Sequence, residues 1–182
     1  MRSVKAVVST CIVLFFLLGI SAYAADVAKI GVVDFQKILE TSNSGKAGQA
    51  EIKKQGEKME SDLKKRGAEI EELNKKFEKD AMVGNKEMRE EKEREAQIKI
   101  FDFKTLEKKY RAELQKLQTE IVVRIQKEVD AIVDEIGKKE GYLLVIEKRE
   151  AGVYYAPASV DITDKLIQQY NAKFAQKPGK EK

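Results

Sequence analysis

The stretch FKTLEKKYRAELQKLQTEIVVRIQKEVDAIVDEI, residues 103 to 136, decides the architecture. Its apolar positions Phe103, Leu106, Tyr110, Leu114, Leu117, Ile121, Ile125, Val129, Ile132 and Ile136 recur at steps of three and four, the spacing of one helix face. Phe103, Leu114, Ile125 and Ile136 stand eleven residues apart. A repeat of about 3.67 residues per turn keeps such a stripe nearly straight or slightly right-handed. The pattern predicts a helix over 86–138, about 80 Å long at ~1.5 Å per residue.

Upstream, a second seam runs through Ile52, Gly56, Met59, Leu63, Arg66, Ile70, Leu73 and Phe77 with alternating steps of four and three, a heptad spacing. It predicts a helix over 45–80, about 54 Å long. Between the two lies Ala81-Met-Val-Gly-Asn85, where Gly84 and Asn85 suit the left-handed backbone that ends a helix and reverses the chain. The two apolar seams then form the interior of a helical hairpin. The longer helix must run past its partner into something else.

Both ends of the chain supply that something. Lys29-Ile-Gly-Val-Val-Asp34 reads as a buried strand feeding a short helix over 35–40. Thr41-Ser-Asn-Ser-Gly45 breaks the pattern, and Ser42 or Asn43 is placed to cap the long helix. After Gly141, Tyr142 to Glu147 reads as a strand, with Val153-Tyr-Tyr-Ala156 as its hairpin mate across a polar loop over 148–152. Asp161 and Asp164 have the spacing of a capping box before a helix through Phe174. Gly45 and Gly141 are placed as pivots at the base of the arms.

The expected fold is α+β and mostly helical, a long antiparallel coiled-coil hairpin projecting from a small β body. The divisions are residues 1–24 as a cleaved signal, 25–44 as the first strand and short helix of the body, and 45–138 as the arm with its tip near 81–86. Residues 139–174 complete the body with a strand hairpin and the last helix, and 175–182 form a loose tail. So few short strands neither bury their own edges nor sustain a core, so association of copies is the expected remedy.

The address is written at the N-terminus. Arg2 and Lys5 precede an apolar run over 6–20, followed by the small-x-small site Ala22-Tyr23-Ala24. That run is shorter than the roughly 20 residues that span a bilayer, so export with cleavage is expected. Cys11 lies inside it, leaving a mature chain with no thiol, and the sequence has no histidine. The commonest acid/base, nucleophilic and soft metal-ligand groups are thus missing.

Charged residues make up 36% of the chain, Pro occurs twice and Trp never, a profile of long exposed helices more than of a compact enzyme. Without Arg2 and Lys5, 33 basic residues face 31 acidic ones, a net charge of +2. That near balance, with export, argues against a nucleic-acid partner. Asp34, Asp161 and Asp164 have no spacing that joins them as a carboxylate site. Gly45-Lys46 fails as a phosphate loop, which needs Gly at 40 and Ser or Thr at 47, where Glu40 and Ala47 stand. No catalysis, cofactor or metal is expected.

The order of these parts resembles the Skp/OmpH family of periplasmic chaperones. The matching stretches are Lys29 to Asp34, the charged hairpin, Leu143-Leu-Val-Ile-Glu147, and Val153-Tyr-Tyr-Ala-Pro-Ala-Ser-Val-Asp-Ile-Thr163. The aromatic-Ala strand followed by Asp161-Ile162-Thr163 is the most specific piece. The resemblance covers essentially the whole mature chain. It implies a homotrimer with a small strand-built body and three helical arms around a cavity that holds unfolded outer-membrane proteins, in the periplasm and without nucleotide.

It also implies contact with lipopolysaccharide or a membrane surface in some members, through basic residues on the arms. Here residues 75–99 carry eight basic and seven acidic side chains, whereas 104–127 carry seven basic and three acidic. No residue is assigned to lipopolysaccharide.

Three groups of residues are singled out. Met82, Val83 and Met88 flank the turn, where thioethers suit variable apolar clients. Lys104, Lys108, Lys109, Arg111 and Lys116 form a basic stretch that either pairs with Glu at helical spacing or draws acidic unfolded clients by charge. Ile30, Val32, Leu144, Ile146, Tyr154 and Ala156 are the candidates for body core and trimer contact. The functional expectation is an ATP-independent holding chaperone. A structural or adaptor coiled coil of the cell envelope is the alternative, distinguished by one fixed partner and no preference for unfolded chains.

Overall fold

The computed structural model describes residues 28–80 and 86–176. In chain order these form β1 (Ile30–Val33), α1 (Phe35–Thr41), α2 (Asn43–Asp80), α3 (Lys86–Glu140), β2 (Leu144–Glu147) and α4 (Thr163–Gln176). The expected signal segment, the tip residues 81–85 and the last six residues lie outside the described residues.

Local chemistry sets the helix ends. Asp34 caps α1 by accepting the Lys37 N–H at 3.0 Å. Ser42 closes α1 with its own N–H on the Ile38 carbonyl at 3.0 Å and opens α2 by accepting the Gly45 N–H on Oγ at 3.0 Å. One buried residue thus ends one helix with its backbone and starts the next with its side chain. At the far end of α3, Gly141 takes a φ of 70° and the Tyr142 N–H reaches back to the Gly137 carbonyl at 3.0 Å. That is the six-to-one closure of a helix C-terminus, which a residue with a Cβ resists. The turn places Leu143 N–H on the Lys29 carbonyl at 2.8 Å and aims β2 along β1.

The sheet departs from expectation. β1 and β2 run parallel, with Ile30 opposite Leu144 and Val33 opposite Glu147, so the whole arm is the crossover between them. On its other side β1 meets residues 160–162: Val32 N–H donates to the Val160 carbonyl at 2.8 Å and Ile162 N–H to the Val32 carbonyl at 3.0 Å. The hairpin expected between Tyr142–Glu147 and Val153–Ala156 is therefore corrected. Residues 153–157 join no ladder. The cause lies in Glu147, whose carboxylate accepts N–H groups from Phe35 at 3.1 Å and from Arg149 and Glu150 at 2.6 Å each. These bonds wind the loop 148–152 into a turn, and the chain beyond leaves the sheet.

Asp161 and Asp164 do not form the reciprocal box either. Asp161 Oδ1 accepts the Thr163 N–H at 2.9 Å, while Asp164 pairs with Lys37 of α1 at 2.6 Å. Thr163 Oγ1 accepts the Asp34 N–H at 2.9 Å, so the start of α4 is tied to the end of β1.

The core sits where the C-terminal part of α3 passes through the body. Ile121, Ile125, Val129, Ile132 and Ile136 are at most 4% exposed and pack with Val33, Ile38, Ile162, Leu166 and Tyr170. At ~1.5–3 kcal/mol for each large apolar side chain buried, this cluster is the main source of the body's stability. Gly45, read from sequence as a pivot, is instead buried, with the Leu39 carbonyl occupying the space a Cβ would need.

Candidate functional site

α2 and α3 lie against each other along their two seams. Met59 and Ala96 are buried, and Ile52, Leu63, Ile70, Leu73 and Phe77 face Phe103, Leu106, Leu114 and Leu117 as half-buried positions. Gly56 approaches Leu114 and Gly67 approaches Phe103, which sets the heights of the two helices relative to one another. Arg66, the charged member of its seam, is exposed and donates to Asp62 at 3.0 Å. Tyr110 of α3 donates its hydroxyl to the same carboxylate oxygen at 2.8 Å. The bond from Tyr110, then that from Arg66, holds Asp62 below the usual carboxylate range and pushes the Tyr110 hydroxyl up. A polar clamp at mid-arm favours one register between two helices that apolar contact alone would let slide.

The basic stretch is exposed throughout. Lys109 pairs with Glu113 at 3.8 Å, Arg111 with Glu107 at 3.3 Å and Lys116 with Glu120 at 3.8 Å, all at four-residue spacing. These are solvated surface pairs, each worth a few tenths of a kcal/mol, on the order of 0.3–0.5. No carboxylate among the described residues pairs with Lys104 or Lys108. Of the three tip candidates, Met82 and Val83 lie outside the described residues, and Met88 is 51% exposed on the first turn of α3.

Two arm residues escaped the sequence reading. Ile98 and Phe101 are 60% and 70% exposed, on the face of α3 turned away from α2. The signal was present in the numbering: Phe101 is two residues out of phase with the seam at Phe103, and Ile98 shares its side of the helix.

At the body, the six candidates divide. Val32 is core at 4% exposure and Ile146 and Ala156 are half-buried, while Ile30, Leu144 and Tyr154 are open to solvent. Leu143 and Tyr155, which the sequence reading did not single out, are 74% and 83% exposed. β2 pairs with β1 on one side alone among the described residues, so its other edge presents free main-chain groups beside these apolar side chains. Next to it, a small cleft between β2 and α3 is floored by Val33, Val129 and Val145 and rimmed by Asp130, Glu147 and Glu150.

The three aspartates considered as a carboxylate site are not brought together. Asp34 caps α1 and lies 4.0 Å from Lys148, and Asp164 belongs to Lys37. Burial alone would raise Asp161, yet the hydrogen bonds from Thr163 outweigh it and hold the carboxyl below its usual range. Among the described residues, no three His, Cys, Asp or Glu side chains gather as a metal site, and no helix is long and apolar enough to cross a membrane.

A two-helix arm on a small body, with apolar side chains exposed on both, defines a class of extended helical-hairpin proteins. Within that class, the chain belongs to the OmpH-like outer membrane protein family, whose model matches residues 29–170. The fold is also similar to that of an OmpH-like protein from Caulobacter crescentus CB15, a candidate outer membrane chaperone. The likeness has a TM-score of 0.74 at 14% identity and covers 80% of this chain and 85% of that one. A comparison with curated proteins finds no match.

Proposed function

We propose that this protein is an ATP-independent holding chaperone of the periplasm, which binds unfolded outer-membrane proteins between the arms of a homotrimer and keeps them from aggregating. The observation that carries the reading is the arm itself. Two helices thick, it has one interior, the seam, and leaves Ile98 and Phe101 exposed on its outer surface. Such surface suits a partner that arrives with apolar side chains of its own. The family membership and the chaperone role put forward for the Caulobacter crescentus protein support the same reading.

Assembly follows from the body. The open edge of β2, with Ile30, Leu143, Leu144 and the two tyrosines exposed, is the surface on which copies associate, leaving each arm to project. Mass action then acts on the client. Many weak contacts lower the concentration of free unfolded chain and so slow its self-association, with no chemical step.

The test is aggregation of an unfolded outer-membrane barrel diluted from denaturant, followed by light scattering with and without this protein. Suppression at one trimer per client is expected, with sedimentation showing an elongated trimer. Scattering unchanged at that ratio would remove the holding role.

A further inference from the structure

The two arm helices present opposite kinds of outer face. On α3, Ile98, Phe101, Thr105, Lys108, Ala112 and Gln115 step by three and four along the side away from the seam, and all are exposed. One of these six carries charge. On α2 the matching outer positions are Lys54, Glu57, Ser61, Lys64, Ala68 and Glu72, also exposed, and four of six are charged. The contacts of Gly56 with Leu114 and of Gly67 with Phe103 put the two stripes at the same heights along the arm. Glu57 and Glu72 are further tied to Lys53 and Lys76 at 3.8 and 2.8 Å.

Scattered surface hydrophobes need no explanation; alignment of large apolar, small and uncharged side chains on one helix, beside a charge-laced neighbour under the same solvent, does. From this contrast, and resting on the holding role proposed above, we infer that the outer stripe of α3 from Ile98 to Gln115 is the surface that holds an unfolded chain, and that it selects acidic segments bearing aromatic or aliphatic side chains.

Charge sets the selectivity. Lys104 and Lys108, which no carboxylate of the described residues neutralises, flank or lie on the stripe, and residues 104–127 carry seven basic groups against three acidic. The paired residues Arg111 and Lys109 add their field without competing for the apolar centre. An extended acidic segment laid along the stripe places its apolar side chains on Ile98 and Phe101 and its carboxylates near free ammonium groups. The outer face of α2 offers such a segment ion pairs to break and almost no apolar area to cover. The stripe spans about 26 Å, the length of roughly eight extended residues, so contact is shallow and distributed.

The experiment places the photocrosslinking residue p-benzoylphenylalanine at Phe101 or at Ala68 of the full-length protein, equal in height on opposite helices. The probes are two unstructured polypeptides of equal length and apolar content, one net acidic and one net basic. The acidic chain is expected to crosslink at Phe101 at least about fivefold more than at Ala68, and more than the basic chain, with the excess falling as salt rises. Lys104→Gln with Lys108→Gln should weaken acidic-chain binding about three- to tenfold and leave basic-chain binding unchanged.

Equal crosslinking at the two positions, preference for the basic chain, or capture of phosphatidylglycerol vesicles in place of polypeptide would overturn the inference. Aggregation suppression by the same wild-type sample separates the two ideas. If it persists while crosslinks are equal, the assignment of the face falls and the holding role stands. If it is absent, both fall.

Discussion

Tyr170 of α4 donates its phenolic hydrogen to the Glu128 carboxylate of α3 at 2.6 Å, inside a body where the tyrosine is only 2% exposed. The bond crosses the base of the arm and fixes the last helix to the long one, one turn from the pair of Lys173 with Glu135 at 2.5 Å. Burial, then the bond to Glu128, pushes the Tyr170 hydroxyl well above its usual range.

Removing that hydroxyl tests its worth. Tyr170→Phe is expected to lower unfolding free energy by about 1–2 kcal/mol, since a partly buried carboxylate loses one hydrogen-bond donor. A raised tyrosine contributes stability that is whole below the unfolded pKa near 10 and is lost as pH climbs above it. Denaturant midpoints should therefore drop between about pH 9 and 11 in the native protein, and drop less in Tyr170→Phe.

Two glycines of α2 should respond to alanine with opposite signs. A Cβ on Gly48 would stand 2.6 Å from Cγ2 of Ile121, a buried β-branched side chain with little freedom to turn away. On Gly67 it would stand 3.9 Å from the Phe103 ring, an ordinary contact. Gly48→Ala is expected to cost about 1–2 kcal/mol by overpacking, while Gly67→Ala adds about 0.5–1 kcal/mol from helix propensity. In an Ile121→Ala background the Gly48→Ala cost should vanish, a coupling that a double-mutant cycle reads directly.

Acid should loosen the base of the arm. Glu140, at the end of α3, is held below the usual carboxylate range by its hydrogen bond from Lys165, ahead of the opposing effect of burial, and more weakly by Lys29. A depressed carboxyl stabilises above its unfolded pKa, and that contribution fades as pH falls through the folded value. Midpoints measured from about pH 5 down to 3 should fall, and Lys165→Met should make the slope shallower.

The strand edge carries the assembly prediction. Leu144 is half exposed, so Leu144→Asp should leave the single chain folded while placing charge on the surface proposed for assembly. Sedimentation is expected to shift from trimer to monomer, with melting of the native protein, and not of the variant, depending on concentration. A variant that remains fully trimeric would place the assembly surface elsewhere.

The arm was readable from the chain because its information is periodic. Phe103 to Ile136 repeats its spacing often enough to name a face, and each long helix was located within two residues at the ends described. Ser42 and Gly141 mark their helix ends through hydrogen bonds that span three to five residues. Ile98 and Phe101 are not legible as exposed hydrophobes in the sequence because a periodic seam names only the face it lies on. Their exposure became visible once the direction of α2 was known.

Sequence by itself determined the helical hairpin, its two seams, the Ser42 cap and the absence of histidine, since each is read from residues near one another in the chain or from composition. Tertiary structure alone decided the sheet. Whether Leu144–Glu147 pairs with Val153–Ala156 or with Ile30–Val33 turns on hydrogen bonds between residues more than 100 positions apart and on the Glu147 carboxylate that coils the intervening loop. Strand-forming residues state a readiness to pair, while the partner is chosen by which backbone the buried face of α3 brings alongside.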